Sequence, residues 1–222
     1  MPNILLGVTG SVAAIRTLPL YSALRQAGFN VKVVATTASL YFFDPAAIEP
    51  VDPALPKRNP EVVVIDSDEW PGLDESRRYE RGESVLHIEL RRWADLFLIA
   101  PLDANTLAKL ANGLCDNCLT SVWRAWDPTR PVVLAPAMNT LMWQHPYTRR
   151  HLRLLGLDAG AAHVPGHLDE LGVIEMINDR SRTLRIVPPQ VKNLACGDVG
   201  IGAIADVDAI VEAVKQLCEP VK

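Results

Sequence analysis

The chain has 222 residues, 49% of them hydrophobic and 22% charged, with a formal net charge of -4. That balance is ordinary for a globular protein long enough to bury one sizeable core, and it excludes a disordered or collagen-like chain. No basic stripe is present to meet nucleic acid, no apolar run approaches a membrane span, and MPNILLGVTG lacks the basic n-region of a secretion signal. These features predict one domain over residues 1–222 in a cytoplasmic protein, its four cysteines reduced, with neither nucleic acid nor membrane as partner.

In chain order, NILLGVTG reads as a buried strand ending in a glycine turn, and Val12 to Ala27, stopping before Gly28, as a helix. VKVVATT and EVVVIDS are two further apolar, β-rich runs with polar punctuation. From Asp66 to Glu83, a mixed charge run around Trp70-Pro71-Gly72 predicts a solvated loop. HIELRRWAD, His87 to Asp95, predicts a helix with His87 and Arg91 on one face, and DLFLIAP a strand after it. Leu107 to Trp126 has the length of one helix, and PVVLAPAMN follows as a strand. Ala161 to Arg185 predicts a peripheral excursion of hairpin type before the strand-like LRIV. Asp206 to Leu217 closes the series as a helix with Val207, Ile210, Val211 and Val214 on one face.

Strands alternating with helices in this way specify an α/β fold with a single doubly wound parallel sheet in three layers, whose ligands collect at the carboxyl ends of the strands. There the sequence turns polar: Gly10-Ser11, Thr36-Thr37, Asp103-Ala104-Asn105-Thr106 and Asn139-Thr140 each follow an apolar run and are expected to converge on one edge.

Several motifs bear two readings. In GVTGSVAAI, backbone amides and the helix dipole point at an anion beyond Gly10 and Ser11, or Ser11 is an ordinary N-cap. The motif is neither G-x-G-x-x-G nor a Walker A loop, so a mononucleotide phosphate fits better than a dinucleotide or triphosphate. LDANT offers a second set of amides to the same phosphate, or Thr106 caps the helix from Leu107. In PAMNTLMWQHP, Asn139 offers hydrogen bonds to a small polar ligand beside an apolar wall of Met138, Met142 and Trp143; core packing explains the methionines and Trp143 as well, but not Asn139. His87 is either a base or carboxylate-orienting group or a structural histidine.

Cys115 and Cys118 have C-x-x-C spacing, but no second thiol or histidine pair completes a zinc set, which favours packing. His163 and His167 flank Pro165-Gly166, which breaks a shared helical face and argues against a metal. In LACGDVGIGA, Cys196 opens a glycine-rich segment, an unusual place for a packed thiol.

GVTGSVAA, HIELRRWADLFLIAPLDANTLAKLANGLCDN, PAMNTLMWQHP and LACGDVGIGA together resemble the phosphopantothenoylcysteine decarboxylases, within the wider flavin-containing cysteine decarboxylase family, in order over nearly the whole chain. The resemblance implies a Rossmann-like or flavodoxin-like fold, FMN as cofactor, and a homotrimer with sites at subunit interfaces. It also implies decarboxylation of 4'-phosphopantothenoyl-L-cysteine to 4'-phosphopantetheine in coenzyme A synthesis. In such enzymes the substrate's cysteine is oxidised to a thioaldehyde, CO2 leaves, and the enethiol is reduced again.

Residue by residue, the resemblance implies FMN contacts at Gly10, Ser11, Val12, Thr36, Phe43, Asp103, Ala104, Asn105, Thr106 and Ala137. It implies that Asn139 holds the substrate carboxylate, that His87 is the active-site histidine, and that Cys196 is the proton donor of the last reduction, on a flap around residues 186–204. Two departures stand out: Ile204 replaces a frequent methionine, and the segment from Ala161 to Arg185 is longer than in compact members. Some fungal relatives instead inhibit protein phosphatases as regulatory subunits. They carry long extensions, whereas this chain holds His87, Asn139 and Cys196 together, which favours the enzyme; a peptidyl-cysteine decarboxylase stopping at the enethiol would have no need of Cys196.

Overall fold

The computed structural model describes residues 1–52, 57–193 and 199–218. Six parallel strands form the main sheet: β1 (Asn3–Val8), β2 (Asn30–Ala35), β3 (Val63–Ile65), β4 (Leu96–Leu102), β5 (Val132–Pro136) and β6 (Leu184–Ile186). Their order is β3-β2-β1-β4-β5-β6, so the winding reverses between β1 and β4. A crevice opens at such a reversal because the connections leave the two neighbouring strands in opposite directions.

The helices are α1 (Thr17–Gln26), α2 (Leu86–Trp93), α3 (Ala104–Asn112), α4 (Cys118–Ala125), α5 (Thr140–Trp143), α6 (Pro146–Asp158), α7 (Glu170–Arg180) and α8 (Val207–Cys218). Alternate strand residues feed two cores, one on each face of the sheet. Leu5, Phe97 and Ile99 pack with Leu90, Leu107, Leu119, Leu152 and Ile177. Ile4, Leu6, Val8, Leu96 and Leu98 pack with Leu20, Leu24, Ile210 and Val214 of α1 and α8. The result is the expected three-layer α/β architecture, and none of the described helices is long and apolar enough to cross a membrane.

Four expectations change. Val12 to Ala27 divides into a 3-10 turn, Val12–Arg16, and α1. The segment from Leu107 to Trp126 is two helices, because Gly113 ends α3 in the left-handed region (φ 70°) and Asn117 caps α4 with an oxygen accepting from Thr120 N–H. The cap of α3 is Asp103 rather than Thr106, and Thr106 is the donor to it at 2.6 Å. Ala161 to Arg185 is no hairpin: Val173, Ile174 and Ile177 form a helical apolar face, so α7 packs on the core and leads into β6. Arg153 holds the turn before it through the carbonyls of Val164, Pro165, Gly166 and Leu168, with His163 and His167 exposed.

Two features set the geometry of the carboxyl edge. The first is Thr9, fully buried just after β1. Its hydroxyl donates to Pro101 O at 2.8 Å and accepts from Asp103 N–H at 2.8 Å, so one side chain ties the end of β1 to the end of β4 and to the cap of α3. The second is an antiparallel hairpin of β7 (Gln190–Asn193) and β8 (Val199–Ala203) lying against the turn after β5. Gly202 accepts from Met138 N–H at 3.0 Å. A Cβ on Gly202 would fall 2.1 Å from Met138 O, and one on Gly200 would fall 2.2 Å from Thr140 Oγ1. Gly202 also has φ of 136°, so close approach and backbone conformation both demand glycine there.

Thr9→Val keeps the shape and deletes the hydroxyl, leaving a buried amide and carbonyl unpaired. Urea unfolding is expected to show a loss of about 1–3 kcal/mol. Gly202→Ala is expected to undock the hairpin while the sheet stays folded, read as faster hydrogen exchange at the Met138 amide with β1 and β4 protection unchanged.

Candidate active site

Two cavities lie along the carboxyl edge of the sheet. The larger, about 420 Å³, is floored by Ser11, Val12, Ala137, Met138 and Asn139 and roofed by the hairpin and the segment after it. Its size falls in the range of small-molecule sites, roughly 300–1,000 Å³. The smaller, about 230 Å³, is lined by Thr36, Thr37, Asp66, Asp103, Asn105 and Thr106, with Lys109 and Asp116 at its side. Between the strand ends that line them sits Gly10, where a Cβ would fall 2.7 Å from that of Ala38 and 3.3 Å from Asp103 Oδ2. A side chain at residue 10 has no room.

The first cavity combines apolar wall with a few placed donors. Ser11 caps the 3-10 turn, its Oγ accepting from Ala13 N–H at 3.3 Å. Asn139 caps α5: its Oδ1 accepts from Met142 N–H at 3.0 Å. That bond settles which end of the amide is oxygen and leaves the NH2 as what the side chain can offer a ligand. Helix capping thus accounts for part of Asn139, which packing alone did not. Of the expected apolar wall only Met138 remains: Trp143 is buried in the core, and Met142 is 53% exposed. On the roof, Lys192 donates to Asp206 at 2.7 Å and holds that carboxyl below its ordinary range.

The second cavity is polar. Thr37 gives both its backbone N–H and its hydroxyl to Asp66 Oδ2, at 2.7 and 2.8 Å. Asp66 Oδ1 is buried and has no partner among the described residues, an acceptor waiting for a donor. Lys109 is already held by Asp116, with 2.7 Å to each carboxylate oxygen, and the bond lowers the Asp116 pKa.

His87 lines neither cavity. It sits in the first turn of α2, its Nδ1 bonded to Glu69 Oε1 and its backbone N–H donating to Glu69 Oε2 at 3.2 Å. Glu69 belongs to a 3-10 turn, Asp66–Glu69, at the start of the segment expected to be solvated, yet it is only 5% exposed. The charge run hid a folded turn whose three carboxylates, Asp66, Asp68 and Glu69, each reach a separate partner: Thr37, Arg58 and His87. Phe43 and Ala104 line neither cavity and pack against the two cores instead. Cys196 lies outside the described residues. Cys115 is exposed and Cys118 buried, on opposite sides of the Asn117 cap. Burial, then the Glu69 carboxylate beside it, pushes the Cys118 thiol above its ordinary pKa. Among the described residues no three His, Cys, Asp or Glu side chains gather as a metal set.

Sequence reasoning overlooked Thr9, Asp66 and Glu69. Thr9 stood next to the glycine turn that drew the reading, and nothing periodic marks either acid.

A flavoprotein family model matches residues 1–219. A probable phosphopantothenoylcysteine decarboxylase of Arabidopsis thaliana is 44% identical over 218 residues, covering 98% of this chain and 89% of its own. A phosphopantothenoylcysteine decarboxylase of Mus musculus is 40% identical over 214 residues, covering 96% and 85%. Among solved structures, a cysteine-to-serine mutant of PPC decarboxylase complexed with pantothenoylaminoethenethiol superposes with a TM-score of 0.73 at 40% identity, covering 99% of both chains. The FMN binding protein AtHal3 gives 0.69 at 42% identity, covering 98% and 96%. A family match and identity of this order over almost the full length mean that the chain belongs to the flavoprotein family, with the phosphopantothenoylcysteine decarboxylases as its relatives.

Proposed function

We propose that this chain is an FMN-dependent carboxy-lyase that converts 4'-phosphopantothenoyl-L-cysteine to 4'-phosphopantetheine, in the cytoplasm, as a step of coenzyme A synthesis. The observation that carries the reading is the larger cavity: Asn139, with its NH2 left to donate, lies on the floor beside Ser11 and Val12, under β7 and β8, and Cys196 falls between those two strands in sequence.

The residues present fit FMN. Val12, Ala137 and Met138 offer apolar surface to a flat ring. The orphaned Asp66 Oδ1, with Thr36 and Asn105 around it, suits the hydroxyls of a ribityl chain. First-turn amides of α3, at Ala104 and Asn105, and the amide of Gly10 are donors not consumed by a helix ladder and suit a phosphate, whereas the Ser11 amide already donates to Thr9 O at 2.8 Å. Asp103 is engaged as a cap through Oδ1, Phe43 packs on the core, and Ala104 offers its backbone amide while its side chain packs. When bound, FMN supplies a two-electron acceptor and donor, which no side chain offers.

The chain's own residues do the rest. Asn139 donates to the substrate carboxylate and orients it for departure as CO2. His87 serves as base or as a second orienting group on that carboxylate. Cys196 delivers the proton that completes reduction of the enethiol, on a flap built from the β7–β8 hairpin that excludes water. Gly200 and Gly202 give this flap a docked position against residues 138–140, so their role is close approach rather than looseness.

His87 stands apart from both cavities of its own subunit, which supports a site shared between subunits. Val12, Ile15, Leu18, Leu141 and Met142 expose apolar surface around or next to the larger cavity, the kind of patch that a second copy covers. The assembly proposed is a homotrimer of one-domain subunits with His87 supplied across the interface.

Flavin-loaded His87→Asn is expected to stay yellow and trimeric while CO2 release falls by about 10²- to 10⁴-fold. Cys196→Ser is expected to release CO2 yet accumulate an oxidised product. Full CO2 release by the first variant removes His87 from the mechanism, and ordinary 4'-phosphopantetheine formation by the second removes Cys196. Colourless protein that FMN does not reconstitute overturns the whole reading.

A further inference from the structure

Glu69 is a carboxylate whose side chain is only 1% exposed, and a buried charge of that kind persists only where its lone pairs are satisfied. Two donors from His87 converge on it, the ring Nδ1 and the backbone N–H, the latter at 3.2 Å, and Cys118, at the first position of α4, is buried beside it. The remaining acids of that turn are otherwise occupied: Asp66 holds Thr37, and Asp68 receives Arg58 at 2.6 and 2.9 Å.

A carboxylate only accepts, so the nitrogen facing it must carry the hydrogen. A neutral imidazole has one N–H, which leaves Nε2 as an acceptor. Because the same carboxylate also binds the His87 amide, backbone and ring are held to one point and the ring cannot turn without breaking a buried bond. The Glu69 side chain is 1% exposed against 20% for His87, so the imidazole and not the carboxylate is open to a ligand.

We propose that Glu69 is the positioning residue of the active site: it fixes His87 in the Nδ1–H tautomer and presents Nε2, unprotonated in the neutral ring, as the atom that meets the substrate. The proposal rests on the reading of His87 given above. The Cys118 thiol is buried beside the same carboxylate, whereas Cys115, the other half of the C-x-x-C pair, is exposed.

The test is long-range ¹H–¹⁵N spectroscopy of flavin-loaded protein labelled at histidine, with the His87 signals assigned by their absence in His87→Asn. Wild type is expected to show a protonated Nδ1 and an unprotonated Nε2 when the ring is neutral; the opposite tautomer overturns the proposal without any variant. In Glu69→Gln, whose side chain can donate as well as accept, the tautomer is expected to become mixed. Its kcat for CO2 release should fall by about 10²-fold, the lower end of what a placed acid or base contributes, with KM and flavin content unchanged. Glu69→Asp, which keeps the acceptor, is expected to retain the tautomer and recover part of kcat. An unchanged tautomer or a wild-type kcat in Glu69→Gln overturns the positioning role. Full activity in His87→Asn instead removes the catalytic reading of His87, while the tautomer result stands as a separate measurement.

Discussion

The structure depends on the hydroxyl of Thr9. Where the winding reverses between β1 and β4, the two strand ends have no sheet neighbour to hold their following loops together, and a crevice there could as easily be a loose gap. Thr9 closes it from beneath, donating to Pro101 O and accepting from Asp103 N–H, with no exposure to water. Everything used at the edge hangs on that tie: the glycine turn at residue 10 starts from it, the cap of α3 is the residue it binds, and the separation of the two cavities follows from how closely Gly10 approaches Asp103 and Ala38. A rigid floor of this kind lets polar groups be aimed before a ligand arrives, which is what makes placed donors effective.

Around that floor the protein uses buried carboxylates in two different ways. Asp103 and Glu69 act as fixed brackets, Asp103 capping α3 through Oδ1 and Glu69 holding the ring and amide of His87. Asp66 is half-used, with Oδ2 taken by Thr37 and Oδ1 without a partner among the described residues. The contrast separates scaffold from site: a satisfied buried acid sets geometry, whereas an unsatisfied one implies a donor from outside the chain. The hairpin adds a third kind of constraint, in which the absence of side chains lets Gly202 lie on the backbone of Met138 and Asn139 and Gly200 on the side chain of Thr140.

Much of this was legible in the sequence. The central strands are continuous apolar runs because parallel strands are buried on both faces, so β1, β2, β4 and β5 could be read without knowledge of their neighbours. The strand-end residues could be read for the same reason, since a polar group directly after a buried strand must emerge at the carboxyl edge. What escaped was decided by partners distant in the chain. Glu69 looks like any acid in a charge run until His87, 18 residues on, folds over it. Trp143 and Met142 are adjacent in sequence, yet one is core and the other exposed, because the short helix α5 turns them to opposite sides. α7 was obscured by the Pro165-Gly166 turn before it, although its apolar spacing was present. Gly113 broke a helix that apolar content alone would have continued.

The placement of α8 bears on how the molecule is made. It covers, with α1, the face of the sheet formed by Ile4, Leu6, Leu96 and Leu98, and it is the last described element in the chain. A ribosome releases residues from the N-terminus at roughly 5–20 per second, so β1 and β4 emerge many seconds before their cover. Throughout that interval the face that α8 will cover has only α1 on it, so the second core is completed last and its apolar surface is open while the chain grows.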